Sequence, residues 1–199
     1  MTKPSEDWYQ RLGVRNRSLL QGDILRQCPI PLLPEALNLT VLPRKDESKR
    51  AVRLSIETYD VIVLSQSCDI ATNKLNSILL CPVWPVETLP DLVLNPAKPE
   101  NKMIVGDKAY INRLNAIRIG VEPRFHLLNG CTLPGLEHPF LLVDFWTIYN
   151  VPKPHLIKMA ARTQPRLRLN PPYVEHLSQA FARFFMRVGL PTTIPEFKK

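Results

Sequence analysis

Glycine is scarce in this chain, at 7 of 199 residues, about half its usual share. Loops that cradle phosphates through GxGxxG or GxxxxGK runs need clustered glycines, so nucleotide folds built on them are excluded. The four cysteines, Cys28, Cys68, Cys81 and Cys131, include no CxxC pair, which leaves zinc ribbons and thioredoxin-type redox motifs without a signal. No apolar stretch, ILLCPVWPV included, approaches the ~20 residues of a membrane span. The opening MTKPSEDWYQRLGVRNRS has no apolar core and does not read as a secretory signal. A cytoplasmic protein with reduced thiols is therefore expected. No Lys/Arg run exceeds two residues, and no internal repeat is visible.

Proline is the reverse case, at 20 residues, about twice the usual share. With no Gly-x-y period and no Pro tract, collagen and a polyproline spacer are excluded. Proline lacks an amide donor and clashes inside helices, so long central strands and long helices are limited to Pro-poor windows. Two such windows stand out, 51–81 and 173–190. The first holds YDVIVLSQ (59–66), β-branched and apolar on both faces, which predicts a central strand. The second lies within PPYVEHLSQAFARFFMRV (171–188), which predicts a helix. Asn170 is placed to cap it and Pro171 suits its first position. Val174, Leu177, Phe181, Phe184 and Val188 form one apolar stripe, widened by Ala180 and Phe185. Gly189 and Pro191 end it.

Between these windows the pattern predicts several shorter elements. Trp8, Tyr9 and Leu12 suit one docking helical turn. QGDIL suggests a short strand with a turn at Gly22-Asp23, CPIPLLPEAL is extended, and NLTVL (38–42) reads as an edge strand. SCDIATNKLN is an exit loop or helical turn. SILLCPVWPV (77–86) is a partner strand broken by Pro82 and Pro85. KAYINRLNAIRIG is ambiguous between helix and strand. HPFLLVDFWTIYNVP (138–152) reads as a strand, and HLIKMAARTQPRLRL as a basic connector. The expected fold is mainly β (α+β): a curved antiparallel sheet or SH3-like barrel over 19–150, with the helix 171–188 packed across it. Residues 1–18 form an N-terminal extension and 19–199 one globular domain.

Net charge is +8, and residues 151–199 hold nine basic and two acidic residues. A basic quarter of this kind points to a polyanion. Lys158, Arg162, Arg166, Arg168, Arg183 and Arg187 are the candidate contacts, with His176 on the side of the helix that carries Arg183 and Arg187. A solvated surface, or pairing with acidic residues, is the competing reading. Reactive side chains are densest in SQSCDI (65–70), at the exit of the best strand. Cys68 and Asp69 there, with Asp23, are the candidate catalytic groups, although turn-forming roles for Ser65 and Asp69 fit as well. Cysteines 68, 81 and 131 with His126, His138, His155 or His176 match no zinc spacing, so no metal and no cofactor are expected.

QGDIL (21–25), YDVIVLSQSCDI (59–70) and SILLCPV (77–83) together resemble the opening of the PemK/Kid ribonuclease toxins. That resemblance implies a small SH3-like barrel, a dimer and RNA cleavage. Where that family has an Arg-Pro pair this chain has Tyr59 and Asp60, and Pro82 and Val83 replace its Ser or Thr. The chain also resembles uncharacterised bacterial and phage-associated proteins with GDI and VLSxxCD landmarks, which implies an origin in mobile or defence loci. The expected function is a non-enzymatic binding module for nucleic acid or an acidic protein partner. A toxin-like nuclease and a protein-assembly subunit are the alternatives.

Overall fold

The computed structural model describes residues 8–13, 16, 18–34, 54–93 and 103–186. Among these lie eight strands: β1 (Tyr9–Leu12), β2 (Asp23–Leu32), β3 (Ser55–Val63), β4 (Ser77–Pro85), β5 (Phe125–Leu128), β6 (Leu141–Asp144), β7 (Tyr149–Pro152) and β8 (Arg166–Leu169). Five α-helices accompany them: α1 (Ser67–Ala71), α2 (Leu89–Val93), α3 (Lys108–Arg118), α4 (Lys153–Arg162) and α5 (Tyr173–Phe185). The strands form one antiparallel sheet in the order β1-β8-β2-β3-β4-β6-β5, with β7 also on β4.

The Pro-poor window around residue 60 lies at the centre of this sheet. Val61, Ile62 and Val63 have no exposed surface. Alternation sends Ile62 and Leu64 to one face and Val61 and Val63 to the other. Each face has its own cover. Leu177, Phe181 and Phe184 of α5 pack on the first, and Leu156 and Ala160 of α4 on the second. A third apolar cluster joins Tyr110 and Ile117 of α3 to Phe125 and Leu142. Fully burying an aliphatic side chain contributes about 1.5–3 kcal/mol, so a two-faced strand is worth covering twice.

The sheet is curled but open: no ladder joins β1 to β5 among the described residues. Side chains bridge the gap instead. The Tyr9 hydroxyl donates to the Asn129 carbonyl, and Arg11 donates to the Pro134 carbonyl at 2.9 Å. A curved antiparallel sheet is thus present.

Prolines sit where no ladder bond is lost. In β4 the Leu64 amide donates to the Leu79 carbonyl and the Leu79 amide to Ser65 Oγ. Residue 79 therefore faces β3, and by alternation residue 82 faces the opposite edge. There β7 covers Ser77 to Leu80 and β6 begins at Val83, so Pro82 lies opposite the gap. Strand β4 consequently runs unbroken through Pro82 to Pro85. In β2, Pro29 and Pro31 lie beyond Ile24, where pairing with β8 has ended and β3 is the neighbouring strand among the described residues.

Several elements depart from the sequence pattern. Residues 138–152 are two strands, β6 and β7, separated at Phe145 to Ile148, and both lie antiparallel along β4. Tyr9–Leu12 is a strand on β8, since β8 offers it an open edge. The supposed basic connector contains α4 and β8. Helix α5 starts at Tyr173, two residues late, with the Asn170 backbone carbonyl receiving the Tyr173 and Val174 amides. Phe185 is 57% exposed, outside the buried stripe. The ambiguous run is helix α3, capped by Asp107, whose Oδ1 accepts from the Tyr110 amide at 2.7 Å. The strand expected at 38–42, and residues 187–191, lie outside the described residues. No helix among the described residues is long and apolar enough to cross a membrane.

Candidate functional site

The structure gathers Asp23, Arg166 and Arg168 into one buried cluster and leaves the other described candidate residues outside it. Asp23 is fully buried at the start of β2. Strand register sets it directly opposite Arg168 on β8, with Arg166 two residues further along the same face. Both guanidinium groups bond its carboxylate, Arg166 at 3.4 Å through Nε and Arg168 at 3.0 Å through Nη2. Oδ2 also receives the Leu20 amide. Arg166 is 1% exposed and donates further to the carbonyls of Asn16, Ser18 and Ala160. Burial lowers its pKa and Asp23 opposes that change. Arg166 and Arg168 are thus engaged with Asp23 and local carbonyls, and Asp23 is enclosed by them.

The GDI and VLSxxCD landmarks are two halves of one junction. The Gly22 amide donates to the Val63 carbonyl. The Gln21 amide donates to Ser67 Oγ, and its side chain donates to the Leu64 carbonyl at 2.7 Å. Gly22 has φ +81°, and an added Cβ would lie 3.1 Å from that of Leu169, so glycine is required there. Cys68 is exposed, with Gln66 Oε1 at 3.8 Å from its sulfur. Asp69 meets Lys74 at 3.7 Å on the surface. Burial raises the thiol pKa of Cys28 to about 11 and, with Asp144 adding to it, that of Cys81 to about 12. Among the described residues no disulfide and no metal-holding group of three acidic, histidine or cysteine side chains occurs.

Lys158 and Arg162 are exposed on α4, and Arg183 is exposed on α5. These helices cover opposite faces of the sheet, so the five described basic candidates do not make one surface. Arg187 lies outside the described residues. Arg183 instead joins residues from elsewhere, around a cavity of about 210 Å³ between α3, β5 and α5. Among the described residues its polar lining is Arg118, His126, His176, Gln179 and Arg183, and none of the described lining residues carries a carboxylate.

Local structure places each of these groups. Helix α3 ends at Arg118, and Gly120 follows with φ +76°. Arg183 Nη1 would lie only 2.8 Å from a Cβ at Gly120, so glycine lets the guanidinium approach the negative end of α3. His176 occupies the first turn of α5, edge-on to Tyr173, which stacks on Trp8 at 3.8 Å. His126 stacks on Phe145. Its Nε2 is buried without a hydrogen-bond partner. Burial, and secondarily His176, lowers its pKa to about 4.

A buried imidazole nitrogen without a partner makes a prediction about stability. The folded protein favours neutral His126, while the unfolded chain protonates near pH 6.5. Stability is complete above that value and declines as pH falls from about 6.5 to about 4. The expected loss is on the order of 2 kcal/mol, read by urea denaturation at pH 7 and pH 4.5. His126→Phe keeps the stack on Phe145 and should flatten this dependence. An unchanged slope would assign the effect elsewhere.

Arg118 escapes sequence reasoning because its run does not distinguish helix from strand. His126 is visible there only as an isolated histidine. Comparison with known protein families, curated proteins and solved structures gives no match.

Proposed function

We propose that the protein is a binding module that takes phosphate groups of a nucleic acid in the cavity between α3, β5 and α5. The reading rests on one observation: Arg118, His126, His176 and Arg183 line that cavity with no carboxylate among its described lining residues. Guanidinium groups bond phosphate oxygens in a planar fork, and a neutral imidazole that gains a proton adds charge where the anion sits. The net charge of +8 supports the same partner by attracting it from a distance. A cytoplasmic location fits this partner.

The test is a salt titration of binding to a labelled oligonucleotide. Affinity is expected to fall linearly on a log-log plot, and Arg118→Ala or Arg183→Ala should each reduce the slope by about one unit or slightly less. Salt-insensitive binding would reject phosphate contact. Effective competition by an acidic polypeptide would turn the reading toward an acidic protein partner.

A second reading, cleavage of the bound chain, is favoured by two imidazoles in one cavity. One histidine would accept a proton and the other donate one at the phosphodiester. A toxin-like ancestry and an SH3-like description of the curled sheet belong with that reading. Incubation with labelled RNA tests it: fragments that disappear in His176→Ala would support cleavage, and intact RNA would end it.

A further inference from the structure

Trp146, which follows Phe145 in the chain, is 66% exposed. It lies in the break between β6 and β7, where the Trp146 amide donates to Asp144 Oδ1 at 3.1 Å. The Arg124 guanidinium covers one face of its indole, 4.1 Å from the ring centroid, and also lies 4.4 Å from the Phe125 ring. Arg124 is itself held by a two-pronged bond to Asp144, Nε to Oδ1 at 3.0 Å and Nη2 to Oδ2 at 2.8 Å, and by the Leu92 carbonyl. Asp144 is buried. The indole is thus fixed from below by a guanidinium whose charge is already matched.

The chain links this indole to the cavity. Arg124 precedes Phe125 and His126, and both of those residues line the cavity. Phe145, beside Trp146, carries the stacked His126 ring. An exposed aromatic face held by Arg124 is therefore one residue along the chain from Phe145, whose ring stacks on the cavity-lining His126. Each unit of a single-stranded nucleic acid presents that pairing of chemistries, a flat base and a neighbouring phosphate. A duplex keeps its base faces stacked inside and cannot use the indole without unstacking.

We propose that the ligand is single-stranded nucleic acid, with one base stacked on Trp146 and an adjacent phosphate in the Arg118–Arg183 cavity. This proposal rests on the phosphate reading above and adds to it the strandedness of the partner. It makes Trp146 a binding residue whose contribution is independent of charge.

The experiment uses the full chain and three probes of equal length: a thymidine oligonucleotide, a uridine oligonucleotide and a mixed-sequence duplex. Binding is followed by anisotropy of the labelled probe and by tryptophan emission. Both single strands should bind at least tenfold tighter than the duplex and quench the emission. Trp146→Ala should weaken single-strand binding about tenfold, remove the quench and leave duplex affinity unchanged, while Trp146→Phe should retain most of the affinity. Equal affinity for single strand and duplex, with Trp146→Ala behaving as wild type, would overturn the stacking proposal and leave the phosphate reading intact. Unchanged binding by an Arg118→Glu/Arg183→Glu variant would overturn the phosphate reading, and stacking at this site would fall with it.

Discussion

Asp23→Ala is expected to lower the stability of the protein by about 3–5 kcal/mol, enough to remove a large part of the total for an ordinary domain. The carboxylate is fully buried and bonds two guanidinium groups, one of them 1% exposed. Its loss leaves Arg166 charged in the interior without its counter-ion, and it removes the acceptor of the Leu20 amide. The cost comes chiefly from the uncompensated charge rather than from the attraction that disappears. Equilibrium urea denaturation measures it. Asp69→Ala serves as the comparison, because its contact with Lys74 is a surface pair and should change stability by no more than about 0.5 kcal/mol. A triple replacement, Asp23→Leu with Arg166→Met and Arg168→Met, should recover much of the loss. A stable Asp23→Ala protein would mean that the cluster does not support the fold.

Reversing both arginines of the cavity carries the largest expected effect on binding. Arg118→Glu with Arg183→Glu replaces the two proposed phosphate contacts by two repulsive groups. Oligonucleotide affinity at about 0.1 M salt should fall by roughly two orders of magnitude. Both side chains are exposed, so the fold should survive, and an unchanged circular dichroism spectrum would show it. Lys158→Glu with Arg162→Glu is the matched control, with the same change of charge on the opposite face of the sheet. It should weaken binding only through the general field, by about tenfold or less. Equal losses in the two variants would mean that net charge, and no particular cavity, attracts the ligand.

The elements most legible in the sequence are those whose side chains meet the core without help. Val61, Ile62 and Val63 are apolar on consecutive positions, and only a strand covered on both faces satisfies that pattern. The stripe of Val174, Leu177, Phe181 and Phe184 fits only a helix packed along one side. Strand β8 is the contrary case. RLRL following a proline has the look of a solvated connector, because arginine on alternate positions ordinarily faces water. It is a buried strand here because Asp23, more than 140 residues earlier, stands opposite Arg168 and neutralises the cluster. The break at Phe145 was hidden for another reason: FLLVDFWTI keeps one apolar pattern across it, and the interruption is set by the capping Asp144 and by Pro82 on the neighbouring strand.

The cavity was the least legible feature. Its four basic groups come from the end of α3, from β5 and from two turns of α5, and only His176 and Arg183, seven apart on α5, are related by a local spacing. The charge excess of residues 151–199 points to a polyanion but to no particular surface, since Arg166 and Arg168 use their charge inside the molecule.

Composition and periodicity alone determined a mainly antiparallel sheet, a covering helix at the C-terminal end and the absence of glycine-rich phosphate loops. These follow from local rules, in which the period of apolar side chains and the missing amide of proline restrict what each segment can form. Tertiary structure decided which charges are spent and which remain available. That outcome depends on strand register and on the approach of one helix to the end of another, and such distances are a property of the assembled fold.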